Sequence, residues 1–202
     1  MRIGLMGGTF DPIHLGHLFI AEEARVRCDL HKVIFVPNNV PAHREGKTAG
    51  LDAESRLEMT ALATADNPHF EVSRVEVERP GPSFAWDTIG QIGAEFRRTF
   101  GKCEIVFIVG ADSMNDILTW HRGAELFEIC RFAAASRPGF DIEKIRAKLT
   151  AKQNARVRWL EVPGLHIASR DLRSRVRDGL PIRYMVPETV ERAIAQRNWY
   201  KE

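Results

Sequence analysis

The 202-residue chain has few cysteines, little net charge and no long apolar run, and each shortage argues against a class of protein. Cys28, Cys103 and Cys130 are odd in number and widely spaced, so neither a disulfide framework nor a CxxC zinc site is suggested. They are expected to be reduced and structural. A net charge of +2 does not by itself imply a nucleic-acid surface. No stretch is apolar enough to span a bilayer, and the run 2–6 passes at once into glycines and polar residues, unlike a signal peptide. A cytoplasmic protein without nucleic-acid or membrane partners is expected. Internal repeats and low-complexity segments are also lacking.

What the chain has is a globular composition, 44% apolar and 28% charged, at a length suited to one well-packed domain. Apolar, β-branched runs at 3–6, 33–36, 70–77, 105–109, 132–136 and 157–162 read as strands. Helical spacing marks 15–28, 52–65, 83–98, 112–129 with a break near Trp120, and 141–152. Strand and helix alternate, which predicts an α/β fold: a doubly wound, mostly parallel sheet with helices on both faces. Past residue 163 the pattern becomes two helices, 169–178 and 187–197. The expected organisation is a single domain 1–202, with a core over 1–163 and a helical C-terminal extension over 164–202.

In such sheets ligands bind beyond the C-terminal ends of the strands, so the segments after the strands are where chemistry is sought. The first is Gly7-Gly8-Thr9-Phe10-Asp11-Pro12-Ile13-His14-Leu15-Gly16-His17. Glycines let the backbone turn and approach a phosphate, and the helix beginning near Leu15 points free amides and its positive end the same way. His14 and His17 stand three residues apart at the first turn, with Gly16 leaving room between them. A zinc pair and a purely structural pair are the competing readings. The zinc reading lacks a third ligand. Residues 37–50, rich in Asn, Pro, Gly and Lys, read as a loop able to serve as a lid.

This stretch resembles the nucleotidyltransferases whose signature is GTFDPxHxGH, and matches it throughout. The resemblance implies a Rossmann-like fold and transfer of a nucleotidyl group, with His14 and His17 as catalytic contacts to the ATP phosphates. It implies ATP binding by Gly7, Gly8, Thr9, Phe10 and Gly16.

Further segments are similar to the nicotinate mononucleotide adenylyltransferases of bacteria, and the similarity runs along the whole chain. Residues 37–44 look like PNxxPPHK, with Ala42 for the second proline and Arg44 for lysine; His43 and Arg44 are implied phosphate contacts. Residues 81–89 look like GxSYTxDTL, with Phe84 and Ala85 for tyrosine and threonine. This implies mononucleotide binding near Ser83, Phe84 and Ala85, with Ser83 as an N-cap. Trp86 reads better as a core residue.

Gly110-Ala111-Asp112-Ser113-Met114 and then Trp120-His121 look like GxDSL followed by an aromatic pair. Asp112 is expected on ribose hydroxyls, Trp120 against the pyridine ring, and the His121 amide on its carboxylate, with Gly110 lining the same place. Arg137, in a segment similar to xxRPG, is expected near the ligand. Residues 167–173 are similar to ISSTxIR. Ala168 and Arg170 replace two hydroxyl residues, while Ser169 and Arg173 are left for the triphosphate. A nucleic-acid patch built from Arg170, Arg173, Arg175 and Arg177 is the alternative there; it lacks interleaved aromatics.

The implied reaction takes ATP with Mg²⁺ and nicotinate mononucleotide to deamido-NAD and pyrophosphate. Nicotinamide mononucleotide and phosphopantetheine are alternative acceptors, a non-catalytic nucleotide-binding regulator is the alternative of another class, and a homo-oligomer is left open.

Overall fold

The computed structural model describes residues 1–41 and 49–201. In chain order the elements are β1 (Arg2–Gly8), α1 (Leu15–Arg27), β2 (Lys32–Pro37), β3 (Val40–Pro41), α2 (Ala53–Thr64), β4 (Phe70–Val72), β5 (Pro82–Ser83) and α3 (Ala85–Phe100). They continue with β6 (Glu104–Gly110), α4 (Ala111–Asn115), a 3₁₀ turn (Ile117–Thr119), α5 (Gly123–Ile129), β7 (Arg131–Ser136), α6 (Glu143–Arg146), α7 (Ala151–Asn154), β8 (Val157–Glu161), α8 (Ser169–Arg177) and α9 (Glu188–Arg197).

Six strands form one sheet in the order β4-β2-β1-β6-β7-β8, and β1 with β6, β6 with β7, and β7 with β8 are parallel. The expected α/β fold is thus present. The reason is legible in the strand residues. In β2, β6 and β7 nearly every position is buried, as a strand covered on both faces requires, whereas the edge strands β4 and β8 keep exposed positions. Ile3, Phe35, Ile105, Ile108 and Phe132, all under 5% exposed, fill the interior.

The chain divides into two compact units, each drawn from three segments. One comprises Met1–Gly7, Ile20–Ile34 and Phe84–Gly164, the other Gly8–Phe19, Phe35–Ser83 and Leu165–Glu202. The first carries most of the sheet. The second carries the histidine loop, α2, the small parallel pair β3 and β5, and the C-terminal helices.

Several boundaries differ from the sequence reading. The strand expected over 70–77 ends at Val72, after which the backbone turns; Ser73 Oγ accepts the Val75 amide at 3.3 Å, a local bond that competes with the ladder. The helix expected over 112–129 is three short pieces, and that over 141–152 is two, because Thr150 forms a capping box with Gln153 and starts a new turn. Ser83 is no N-cap. It lies in β5, its Oγ accepts the Asn39 amide at 3.1 Å, and the N-cap of α3 is Phe84, which makes no side-chain cap. The expected loop 37–50 contains β3, which pairs with β5; of the proposed lid, residues 42–48 lie outside the described residues.

Gly123 opens α5 where no side chain fits: a Cβ there would sit 2.0 Å from the Ile117 carbonyl oxygen, a backbone atom that cannot swing aside. Gly123→Ala should therefore destabilise the protein by at least about 1–3 kcal/mol, the usual cost of overpacking. At this chain length that is a fall in Tm of roughly 3–10 °C, read by thermal unfolding.

Candidate functional site

β1 ends on Gly7 and Gly8, which are strand residues; the turn expected of them is made by Phe10. Phe10 takes a φ of 48° and is 2% exposed, and the cis Asp11–Pro12 bond follows it. Its ring folds back over Gly8, where a Cβ would meet the ring at 2.8 Å. Gly8 thus makes room for Phe10.

The chain then delivers His14 and His17. Their rings stack with centroids 3.7 Å apart and planes 26° from parallel, and the Phe10 ring meets His17 edge-on at 5.1 Å. The His14 amide donates to His17 Nδ1 at 3.2 Å, which assigns the proton of a neutral His17 ring to Nε2. His14 is 7% exposed and its Nδ1 has no hydrogen-bond partner among the described residues. A buried polar atom left so is costly unless a ligand meets it. Gly16 makes the pocket for that ring, since a Cβ there would lie 3.0 Å from His14 Nδ1. Burial lowers the His14 pKa to about 4. Burial, and then repulsion from His14, lowers His17 well below the usual imidazole value. Both rings are neutral at neutral pH. The helix end is less open than expected, because the Leu15 amide of α1 donates to the Met185 carbonyl at 3.0 Å.

The loop is held from below by Asp11, which is 4% exposed. One carboxylate oxygen accepts from the Tyr200 hydroxyl at 2.8 Å; the other accepts from the Gly50 amide at 2.7 Å and lies 3.3 Å from Arg173 Nη1. The same Nη1 donates to the Asp11 carbonyl at 2.6 Å, and Ser169 Oγ donates to the Pro12 carbonyl at 2.9 Å. Ser169 and Arg173, expected on the triphosphate, thus fasten α8 to the loop. Beside them Arg56, 1% exposed on α2, donates to the carbonyls of Thr9 at 2.7 Å, Asn39 at 3.1 Å and Leu51 at 3.2 Å and to Asn38 Oδ1 at 3.1 Å. Asn38 Nδ2 in turn donates to Thr9 Oγ1 at 3.2 Å.

The other unit holds the aromatic set. Phe84 and His121 face each other with centroids 4.4 Å apart, and Trp120, half-buried, meets Phe107 edge-on at 6.3 Å. The Arg122 guanidinium covers Trp86 at 3.8 Å and is ion-paired to Glu125, so Trp86 is half-buried under a cation and not in the core. Gly110 is the N-cap of α4, and Asp112 projects from its first turn with its side chain 80% exposed, 4.0 Å from Arg137 Nη2. Ala85 opens α3.

The structure thus brings Gly8, Thr9, Phe10, His14, Gly16, His17, Ser169 and Arg173 together within one unit. Phe84, Ala85, Gly110, Asp112, Trp120, His121 and Arg137 belong to the other, as does Gly7, while Ser83 lies in the unit of the histidines. His43 and Arg44 lie outside the described residues. Sequence reasoning missed Tyr200, Arg56, Asn38 and the part played by Asp11. An arginine on the buried stripe of α2, beside Leu57, Met59 and Thr60, was the available signal for Arg56; nothing local marked Tyr200.

A cytidylyltransferase-like family model matches residues 5–175. A Moorella thermoacetica protein described as a "probable nicotinate-nucleotide adenylyltransferase" is 48% identical, over 99% of this chain and 92% of its own length. One of the same description from Thermus thermophilus is 42% identical over 100% of both chains. Among solved structures, Plasmodium falciparum nicotinic acid mononucleotide adenylyltransferase complexed with NaAD superposes with a TM-score of 0.77. It is 19% identical and covers 98% of this chain and 97% of that one, a likeness of fold.

Two outcomes follow from the loop. Tyr200→Phe removes a buried bond to a carboxylate and should cost about 1.5–3 kcal/mol, seen as a lower midpoint in urea unfolding. Because the folded state keeps His14 neutral down to about pH 4 while the unfolded ring protonates near 6.5, the unfolded chain binds more protons between these values. Stability should fall as pH drops through that window, by up to about 3 kcal/mol for this residue, and His14→Asn should flatten that dependence.

Proposed function

The chain belongs to the cytidylyltransferase-like family and, within it, to the nicotinate-nucleotide adenylyltransferases, and on that premise we propose that it transfers AMP from ATP to nicotinate mononucleotide. The products are deamido-NAD and pyrophosphate. The observation that carries the reading is the stacked neutral pair His14 and His17, with a buried nitrogen unpaired among the described residues, in a loop whose backbone is fixed by Asp11 and Arg56.

In the proposed reaction an oxygen of the mononucleotide 5′-phosphate attacks the α-phosphorus of ATP, the new P–O bond forms in line, and the bond to the β-phosphate oxygen breaks as pyrophosphate leaves. Such transfers need positioning and electrostatic stabilisation and no covalent nucleophile. We assign His17 Nε2–H and His14 Nδ1 to oxygens of the triphosphate, with Gly8, Thr9, Phe10 and Gly16 shaping the backbone around them. Neutral donors held in place stabilise developing charge without first having to shed a proton or a hydration shell. ATP enters as its Mg²⁺ complex, the metal held by phosphate oxygens as part of the substrate. Ser169 and Arg173, which hold α8 against Asp11 and Pro12, remain assigned to the triphosphate, and the His43 and Arg44 phosphate contacts rest on the sequence motif. Asp112 is assigned to ribose hydroxyls, with Gly110 and Arg137 beside it, and Trp120, Phe84 and the His121 backbone to the pyridine ring and its carboxylate, near Ser83 and Ala85.

The competing acceptor is nicotinamide mononucleotide, because Phe84 and Ala85 carry no hydroxyl to read the pyridine substituent. Pyrophosphate release from MgATP, measured in parallel with nicotinate mononucleotide, nicotinamide mononucleotide and phosphopantetheine at equal concentration, should be strong with the first. Preference for the amide would reverse the acceptor and leave the chemistry, and silence with all three would favour a nucleotide-binding regulator. His17→Ala should lower kcat by about 10²–10³ with a smaller change in ATP affinity, the cost of one transition-state donor.

A further inference from the structure

The parallel strands bring their N-terminal ends to one edge of the sheet, and arginines collect there. Arg2 opens β1, Arg131 opens β7, Arg156 immediately precedes β8 and Arg158 is its second residue. All four line one cavity of about 150 Å³, which Val106 and Phe132 also line. The histidine loop follows the C-terminal end of β1, whereas these arginines stand at the N-terminal ends of the strands, so the proposed transfer chemistry uses none of them.

The charges are incompletely balanced. Glu104, which opens β6, bonds both Arg2 and Arg131, each at 2.7 Å, and Arg2 also donates to the Cys28 carbonyl at 2.9 Å and lies 3.8 Å from Asp29. Arg156 and Arg158 have no hydrogen-bonded carboxylate among the described residues; Glu128, the acid that senses Arg156, is bound to Lys152 at 2.7 Å. Guanidiniums gathered around one hollow repel each other until an anion enters, and their planar forks match phosphate oxygens. The volume admits a phosphate group and falls well short of the several hundred Å³ that enclose a nucleotide.

We propose that this cavity is a second anion site, separate from the transfer chemistry, that takes a phosphate group, either free or as the exposed end of a phosphate monoester.

The test is calorimetric titration of the full chain with inorganic phosphate and, separately, AMP, at fixed ionic strength. Arg156→Gln with Arg158→Gln should weaken phosphate binding tenfold or more while pyrophosphate release from the substrates stays within about twofold. Glu104→Gln should tighten phosphate binding several-fold by freeing Arg2 and Arg131, an opposite sign that damaged folding would not produce. Arg98→Gln, an exposed charge outside the cavity, should leave it unchanged. AMP binding that follows the same variants identifies a monoester as the source; phosphate alone following them identifies the free ion. Phosphate affinity unchanged in the double variant, or unaltered by Glu104→Gln, overturns the proposal.

Discussion

The Asp11 carboxylate is the contact on which the loop depends. It is almost wholly removed from water, yet it accepts from the Tyr200 hydroxyl and a loop amide while a helix arginine lies 3.3 Å away as its ion-pair partner. A buried carboxylate is tolerable only when its oxygens are satisfied and a cation lies near, and here each partner comes from a different stretch of chain. Tyr200, Gly50 and Arg173 are thereby fixed with respect to one another and to the turn at Phe10. Gly50 shows how close the fit is: a Cβ there would meet Arg173, Asp11 and Tyr200 atoms at 3.2–3.3 Å. Burial and its charged neighbour also push the Tyr200 hydroxyl far above its usual pKa, so it remains a donor at any working pH.

With the loop fixed, the histidines can be neutral and still useful. Stacked rings 3.7 Å apart repel each other strongly if both are charged, and their burial disfavours even one charge. The His14 amide selects the tautomer of His17 and so determines which nitrogen remains a donor. Arg56 completes the arrangement from α2, where a guanidinium spends four donor contacts on backbone and amide oxygens around Thr9 and Asn38. Its charge serves the shape of the loop.

The α/β fold was legible because the buried strands β2, β6 and β7 are near-continuous apolar runs separated by helical spacing. Element ends were less so: Thr150 and Ser73 make local side-chain bonds whose preference over helix or ladder depends on tertiary packing. The motif residues His14 and His17 stood out by spacing, and they are indeed adjacent. Tyr200 was illegible, since it meets Asp11 across 189 residues and no periodicity connects them. Gly8 was read as a phosphate glycine, while its local reason is the Phe10 ring, a contact that exists only once Phe10 adopts a positive φ. Ser169 and Arg173 were read as ligand contacts because their types suit phosphate; the same types suit the Asp11 and Pro12 oxygens that they hold.

The claim that both imidazoles are neutral donors in a preformed loop can be read directly. Nitrogen-detected NMR of the ligand-free protein, followed from pH 8 to 4, reports the tautomer and titration of each ring. The account predicts His17 protonated on Nε2 alone at pH 7, with neither His14 nor His17 titrating until well below the ordinary imidazole pKa of about 6.5. Titration of both rings near that value, or a proton on Nδ1 of His17, would contradict it.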